Sequence, residues 1–78
     1  MKYEVIVQLK PEVLDPEGRA IRKSLDRLGF NSLRDVQVSK RYVLELDEQD
    51  KNPDATAHKI AEEYLANVVA ESFTVEKI

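Results

Sequence analysis

Residues 36–47, VQVSKRYVLELD, carry their apolar side chains at Val36, Val38, Tyr42, Leu44 and Leu46, all at even positions apart from Val43. Side chains of a strand alternate between two faces, so one face stays apolar along the whole stretch. How the chain passes Ser39, Lys40 and Arg41 decides the fold. A two-residue turn at Ser39-Lys40 would pair Val38 with Arg41 and put Leu44 on the wrong face. A three-residue connection over 39–41 pairs Val38 with Tyr42 and keeps the apolar side chains together, so a hairpin is expected. One long, bent strand satisfies the same pattern, above all if its second half pairs with another subunit, and that alternative stays open.

Upstream, residues 2–10 (KYEVIVQLK) alternate cleanly, with Tyr3, Val5, Val7 and Leu9 on one face and Glu4, Gln8 and Lys10 on the other. This is a half-buried strand, closed by Pro11, which has no amide hydrogen to give to a ladder. From Asp15 the period changes. Asp15 can cap the free amides of a first helical turn, Pro16 suits the first helical position, and Glu17 suits the positive end of the helix dipole. Ile21, Leu25 and Leu28, with Ala20 beside them, recur at helical spacing as the stripe expected to be buried, and Gly29 is placed to terminate the helix. Downstream, the polar run DEQDKNPD at 47–54 is a loop. Asp54 is the expected cap of a second helix, with Ala57, Ile60, Ala61, Tyr64, Leu65 and Val68 on one face and an end near Asn67. Residues 72–78, SFTVEKI, close the chain as a strand with Phe73 and Val75 inward.

The order is strand, helix, strand, strand, helix, strand in a single domain over 1–78. It implies an α+β fold: a two-layer, ferredoxin-like βαββαβ arrangement with both helices on one face of an antiparallel sheet. Ile6 and Val43 then point to the opposite face, as does Ile78 if the last strand holds its register. A chain this short buries only about 60% of its unfolded surface, and small domains are commonly supplemented by disulfides, metals or self-association. There is no cysteine and one histidine, His58. Dimerisation is therefore expected, with the apolar side chains of the second sheet face as a hint of where.

Composition narrows the function. A net charge of −3 with 35% charged residues lacks the basic footprint of a nucleic-acid binder. RNA-recognition modules of similar outline need exposed aromatic residues on their central strands, whereas Tyr3 and Tyr42 fall on the apolar faces here. No apolar run approaches the length of a membrane span, and no signal-like segment precedes the first strand, so a cytoplasmic protein without nucleic-acid or membrane partners is expected.

The chain is also poor in the groups that do chemistry. Ser24, Ser32, Ser39 and Ser72 lack the context of an activated nucleophile, and His58 reads as a surface residue near the start of the second helix. The two glycines, Gly18 and Gly29, are too far apart for a phosphate-cradling loop. The run 47–54 lacks the glycine and terminal glutamate of a calcium loop. Arg19, Arg22, Lys23 and Arg27 form a basic side of the first helix, which reads as solvation or as a docking surface for an acidic partner. The residues alone thus describe a non-catalytic module that makes contacts.

Four stretches together resemble the PurS family, the small subunits of multi-subunit phosphoribosylformylglycinamidine (FGAM) synthase. They are VLDPEGRAI with Leu14, Asp15, Pro16, Gly18 and Ile21; LDRLGF with Leu25, Leu28 and Gly29; DVQVSKRYVLEL; and LANVVAESFTVE with Leu65, Ala66, Asn67 and Glu71. Their order and spacing span the chain. Two positions depart from the pattern: Ser39 stands where the family often has glycine, and Val68 where it commonly has proline.

The resemblance implies a non-catalytic subunit of a glutamine-hydrolysing, ATP-dependent ligase of purine biosynthesis. It implies a homodimer or dimer of dimers that bridges a glutaminase subunit (PurQ) and a synthetase subunit (PurL) and assists ammonia transfer. ATP and Mg are used by the synthetase partner, and no cofactor, metal or catalytic residue is expected on this chain. From the motif positions, Asp15, Pro16, Gly18, Arg19, Lys40, Tyr42 and Asn67 are the expected partner contacts. The alternative from outside that family is a ferredoxin-like regulatory module sensing a small ligand at a subunit interface. An enzyme using His58 or a carboxylate in its own right is a weaker third reading.

Overall fold

The computed structural model describes all 78 residues. Strand β1 (Lys2–Leu9) is central in a three-stranded antiparallel sheet of order β2-β1-β3, flanked by β2 (Ser39–Glu45) and β3 (Glu71–Lys77). Val5 pairs with Tyr42 on one side and Val75 on the other; Val7 pairs with Lys40 and Phe73. Directly paired residues share a face, so the inner face carries Tyr3, Val5, Val7, Tyr42, Leu44, Phe73 and Val75, as the alternation predicts.

Helix α2 (Pro53–Ile60) and the π-helical turn that continues it (Ala61–Leu65) lie on that face. Ala57 and Ala61 are fully buried, and their small side chains let the helix approach Val5 and Val7 closely. The helix begins on Asn52, whose side chain accepts the Ala55 amide, with Pro53 in the first turn. Asp54, the expected cap, instead receives the Tyr3 hydroxyl and so pins the helix start to β1. The π turn explains a second difference. It spreads more residues over a turn than an α-helix does, so after Ala61 the inward position falls on Leu65 and Ala66, and Tyr64 swings out to 78% exposure. Val68 lies beyond the helix and is also exposed.

Two features depart from the expected arrangement within this α+β fold. The hairpin is absent: Ser39 to Glu45 run without a turn, all paired with β1, from Gln8↔Ser39 to Lys2↔Glu45. Residues 33–38, which lead into this run, belong to no strand and add no fourth one. Ser39-Lys40-Arg41 contains no glycine, proline, asparagine or aspartate to turn on, so the chain goes straight through. The long-strand alternative describes Ser39–Glu45 better, and Val36 and Val38, like Tyr42 and Leu44, are half-buried between exposed neighbours.

The second departure is the position of helix α1 (Pro16–Arg27). Its ends are as read: Asp15 caps, Pro16 follows, and Gly29 beyond the end takes a left-handed φ of 100°. But it is not laid on the sheet. Gly18 is its only buried residue, Ala20 is exposed, Ile21 is 38% and Leu28 73% exposed, and Phe30 just beyond is 58% exposed. Residues 10–38 form an arm that leaves one end of the sheet and returns to it. The molecule measures 52 × 24 × 14 Å with a radius of gyration of 16.2 Å. A compact domain of this length would have about 11.5 Å.

Candidate functional site

The arm's root, where β1 ends and β2 and β3 begin, is the most structured concave region. β1 delivers Gln8 and Leu9 to it, the straight passage into β2 delivers Val38, Ser39 and Lys40, and β3 delivers Glu71, the register partner of Leu9. Leu14, Asp15 and Pro16 close the side toward the arm, leaving an open cleft of about 310 Å³. A second cleft of about 230 Å³ adjoins it across Leu14 and Asp15, and Arg19, Asp35 and Gln37 line it.

Asp15 stands between the two clefts. One carboxylate oxygen accepts the Gly18 amide at 2.9 Å, capping α1, and the other accepts the Val38 amide at 3.1 Å. These backbone N–H groups, Gly18 first, hold its carboxyl below the usual value of 3.8. Gly18 is required sterically: a Cβ there would lie 2.2 Å from the Val36 carbonyl oxygen. The first turn of α1 is thereby pressed against the strand-like segment returning to β2.

Of the seven expected contact residues, six gather at this end of the molecule. Asp15, Pro16 and Lys40 line the larger cleft, Arg19 the smaller, and Gly18 is buried beneath Val36. Asn67 organises the turn into β3: its carbonyl accepts the Ala70 and Glu71 amides, and its side chain accepts the Val69 amide. The Lys10 amide in turn donates to Ala70, tying that turn to the end of β1. Tyr42 is apart, half-buried opposite Val5 in the middle of the sheet, where it packs on the core. Reading motifs alone placed contacts at the Ser39 to Tyr42 connection but passed over Leu14 and Glu71, although both stand inside the quoted motifs. It also missed exposed Tyr64, for which the sequence carries no signal of a π turn.

His58 is away from this region, exposed on α2 at the edge of its contact with β3. Its side chain is 60% exposed, its Nδ1 is 3.6 Å from Glu62, and its ring meets Phe73 edge-on at 5.2 Å. No three His, Cys, Asp or Glu side chains converge as a metal site would require, and no helix is long and apolar enough to cross a membrane. On the outer sheet face Arg41 bridges to Glu4 at 2.5 Å beside half-buried Ile6 and exposed Val43. The arrangement offers contact surfaces: an apolar arm, a root cleft with one lysine and several carboxylates, and an exposed Tyr64.

Comparison with known proteins agrees with these features. Residues 2–78 match the family model "PurS: Phosphoribosylformylglycinamidine (FGAM) synthase". The chain is 44% identical over 73 residues to the phosphoribosylformylglycinamidine synthase subunit PurS of Mycobacterium leprae, covering 94% of this chain and 90% of that one. It superposes on Bacillus subtilis PurS with a TM-score of 0.89 at 35% identity, covering 96% and 94% of the two chains. It also superposes on a chain of the PurLQS structure from Thermotoga maritima with a TM-score of 0.74 at 25% identity, covering 99% and 95%. With the family model spanning the sheet, the arm and the root that joins them, the chain belongs to the PurS family of FGAM synthase subunits.

Proposed function

We propose that this chain is the non-catalytic assembly subunit of an FGAM synthase, acting as a homodimer between a glutaminase subunit (PurQ) and a synthetase subunit (PurL). The observation that carries this reading is the arm. A helix whose apolar stripe is left largely uncovered by its own chain needs cover from another, and a second copy supplies both an identical stripe and the inner sheet face beside α2. The solved PurLQS structure, in which a chain of the same fold occurs, supports the two larger partners. The comparisons favour this reading over a small-ligand-sensing module.

In that assembly the chemistry belongs to the larger subunits. The glutaminase releases ammonia, and the synthetase, with ATP and Mg, activates the amide oxygen of formylglycinamide ribonucleotide so that ammonia can displace phosphate. Free ammonia would be protonated and diluted in water. A scaffold that holds the two sites in fixed relation raises its effective concentration at the activated substrate. The root cleft, with Asp15, Arg19 and Lys40, is the surface we assign to the larger subunits, and the complex works in the cytoplasm.

The experiment is reconstitution. Glutamine-dependent amidine formation by the glutaminase and synthetase counterparts should require this chain. Activity unchanged by its omission would refute the reading. Solution mass of the isolated chain should be twice that of the 9.0 kDa monomer, and a lone monomer would refute the dimer.

A further inference from the structure

We infer that the Asp15 carboxylate is a two-sided lock that fixes the direction in which the arm leaves the sheet, holding α1 away from its own inner sheet face. The geometry stands by itself; its consequence for self-association rests on the dimer reading above. Two segments connect the arm to the sheet, residues 10–15 and 28–38, and beyond the Lys10 amide, which donates to the Ala70 carbonyl, neither belongs to a strand. Without a cross-link the arm could rotate about both. The cross-link present is one side chain: one oxygen of Asp15 holds Gly18 in the first turn of α1, and the other holds Val38, the residue before β2 begins. The helix start and the strand start are thus bridged through a single carboxylate.

Two further features make the bridge stiff. Gly18 brings the Val36 carbonyl so close that no larger residue fits, so the helix cannot roll toward the returning segment. Pro11 and Pro16 fix φ at both ends of the first connection. The apolar stripe of α1 is suited to lying on a sheet, as the sequence pattern suggests, and the connections are long enough to make folding back onto its own sheet a competing arrangement. The lock decides between the two, and exchange between copies is the outcome when the arm is held out.

Asp15 also caps α1, and the two roles are separable. Asparagine caps a helix about as well as aspartate. It has one acceptor oxygen, however, and its amide nitrogen would face the Val38 N–H donor. If Asp15 only caps, Asp15→Asn behaves as wild type; if it locks, Asp15→Asn behaves like Asp15→Ala. Because the chain has no cysteine, a pair introduced at Lys23 on the arm and Thr74 on the outer face of β3 can carry spin labels. Diluted into excess unlabelled protein, such a chain reports its own arm-to-sheet distance.

Wild type should give one narrow, long distance. Asp15→Asn and Asp15→Ala should both broaden it toward shorter values and weaken dimerisation about tenfold, as loss of a charged hydrogen bond implies. Val38→Pro, which removes the amide donor and leaves the cap untouched, should do the same and serves if Asp15 variants do not fold. A narrow wild-type distance retained in Asp15→Asn or Val38→Pro, or a broad one in wild type, overturns the lock. A wild-type monomer with a narrow distance sensitive to both substitutions would refute the dimer reading and leave the lock standing.

Discussion

The sheet with α2 and the arm with α1 are built from similar raw material and end in opposite environments. Both helices carry an apolar stripe, both start with a capping side chain and a proline, and both follow a strand or loop in the expected order. Yet α2 and the π turn that continues it bury Ala57 and Ala61 completely, while α1 buries only Gly18. Side-chain size and tethering account for the contrast. Alanines at 57 and 61 allow close approach to Val5 and Val7, and Asp54 takes the Tyr3 hydroxyl, so α2 is held to β1 by packing and by a polar contact. The tether of α1 runs instead through Asp15 to Val38 and Val36, which orients the helix beyond the sheet. A helix's stripe says that it will be covered; the contacts at its first turn say by what.

That contrast can be broken from either side. The largest effect belongs to the sheet. Val5→Ala removes two methyl groups from the centre of the core and should cost about 2–3 kcal/mol, read as a lower denaturant midpoint with an unchanged slope. Next comes the arm. If the proposed dimer forms through the arm, Ile21→Asp with Leu28→Asp should halve the solution mass while hydrogen exchange of the β1 amides stays slow, because these exposed side chains do not pack in the sheet's core. Loss of β1 protection in that variant would mean the arm supports its own sheet after all.

The tether of α2 can be probed by pH. The Tyr3 phenol is pushed up to about 12, chiefly by its hydrogen bond to Asp54 and then by burial and by the Asp54 and Asp50 charges. A raised phenol pKa means that the folded chain holds the proton more tightly. The stability it contributes is fully present below the unfolded value of 10.0 and is lost as pH rises toward 12. Tyr3→Phe should flatten the stability profile in that window, and an unchanged slope would remove the tether from the account. For Asp15 the sign is reversed: a lowered carboxyl pKa contributes above 3.8 and is lost as pH falls below it. The smallest effect belongs to the outer face. Arg41→Ala breaks an exposed pair with Glu4 and should cost about 0.5 kcal/mol at low salt, less when salt is added.

Legibility in the sequence followed the range of the interaction involved. β1, its inward residues, both ends of α1 and the closing strand were readable because alternation, capping and glycine preference are local. The root was readable in part: Asp15, Pro16, Gly18, Arg19, Lys40 and Asn67 gather there, but their gathering depends on β1, β2 and β3 sharing one end. Tyr42 stands apart from those residues, half-buried on the core in the middle of the sheet, a placement set by its pairing with Val5. The absence of a hairpin had a local sign, because Ser39-Lys40-Arg41 contains no glycine, proline, asparagine or aspartate and only the weaker turn former serine. Exposure of Tyr64 could not, because a π turn depends on how the helix end meets β3.

By itself the sequence determined β1, the two helices, the closing strand and the capping of α1, because each rests on residue type and spacing within a few positions; the family followed from four motifs spread along the chain. Only the tertiary structure decided that Ser39–Glu45 form one unbroken strand, that Tyr64 faces solvent, and that α1 stands off the sheet. Those outcomes depend on which of several possible apolar surfaces meet. That choice is made by contacts between residues far apart in the chain, such as Tyr3 with Asp54 and Asp15 with Val38.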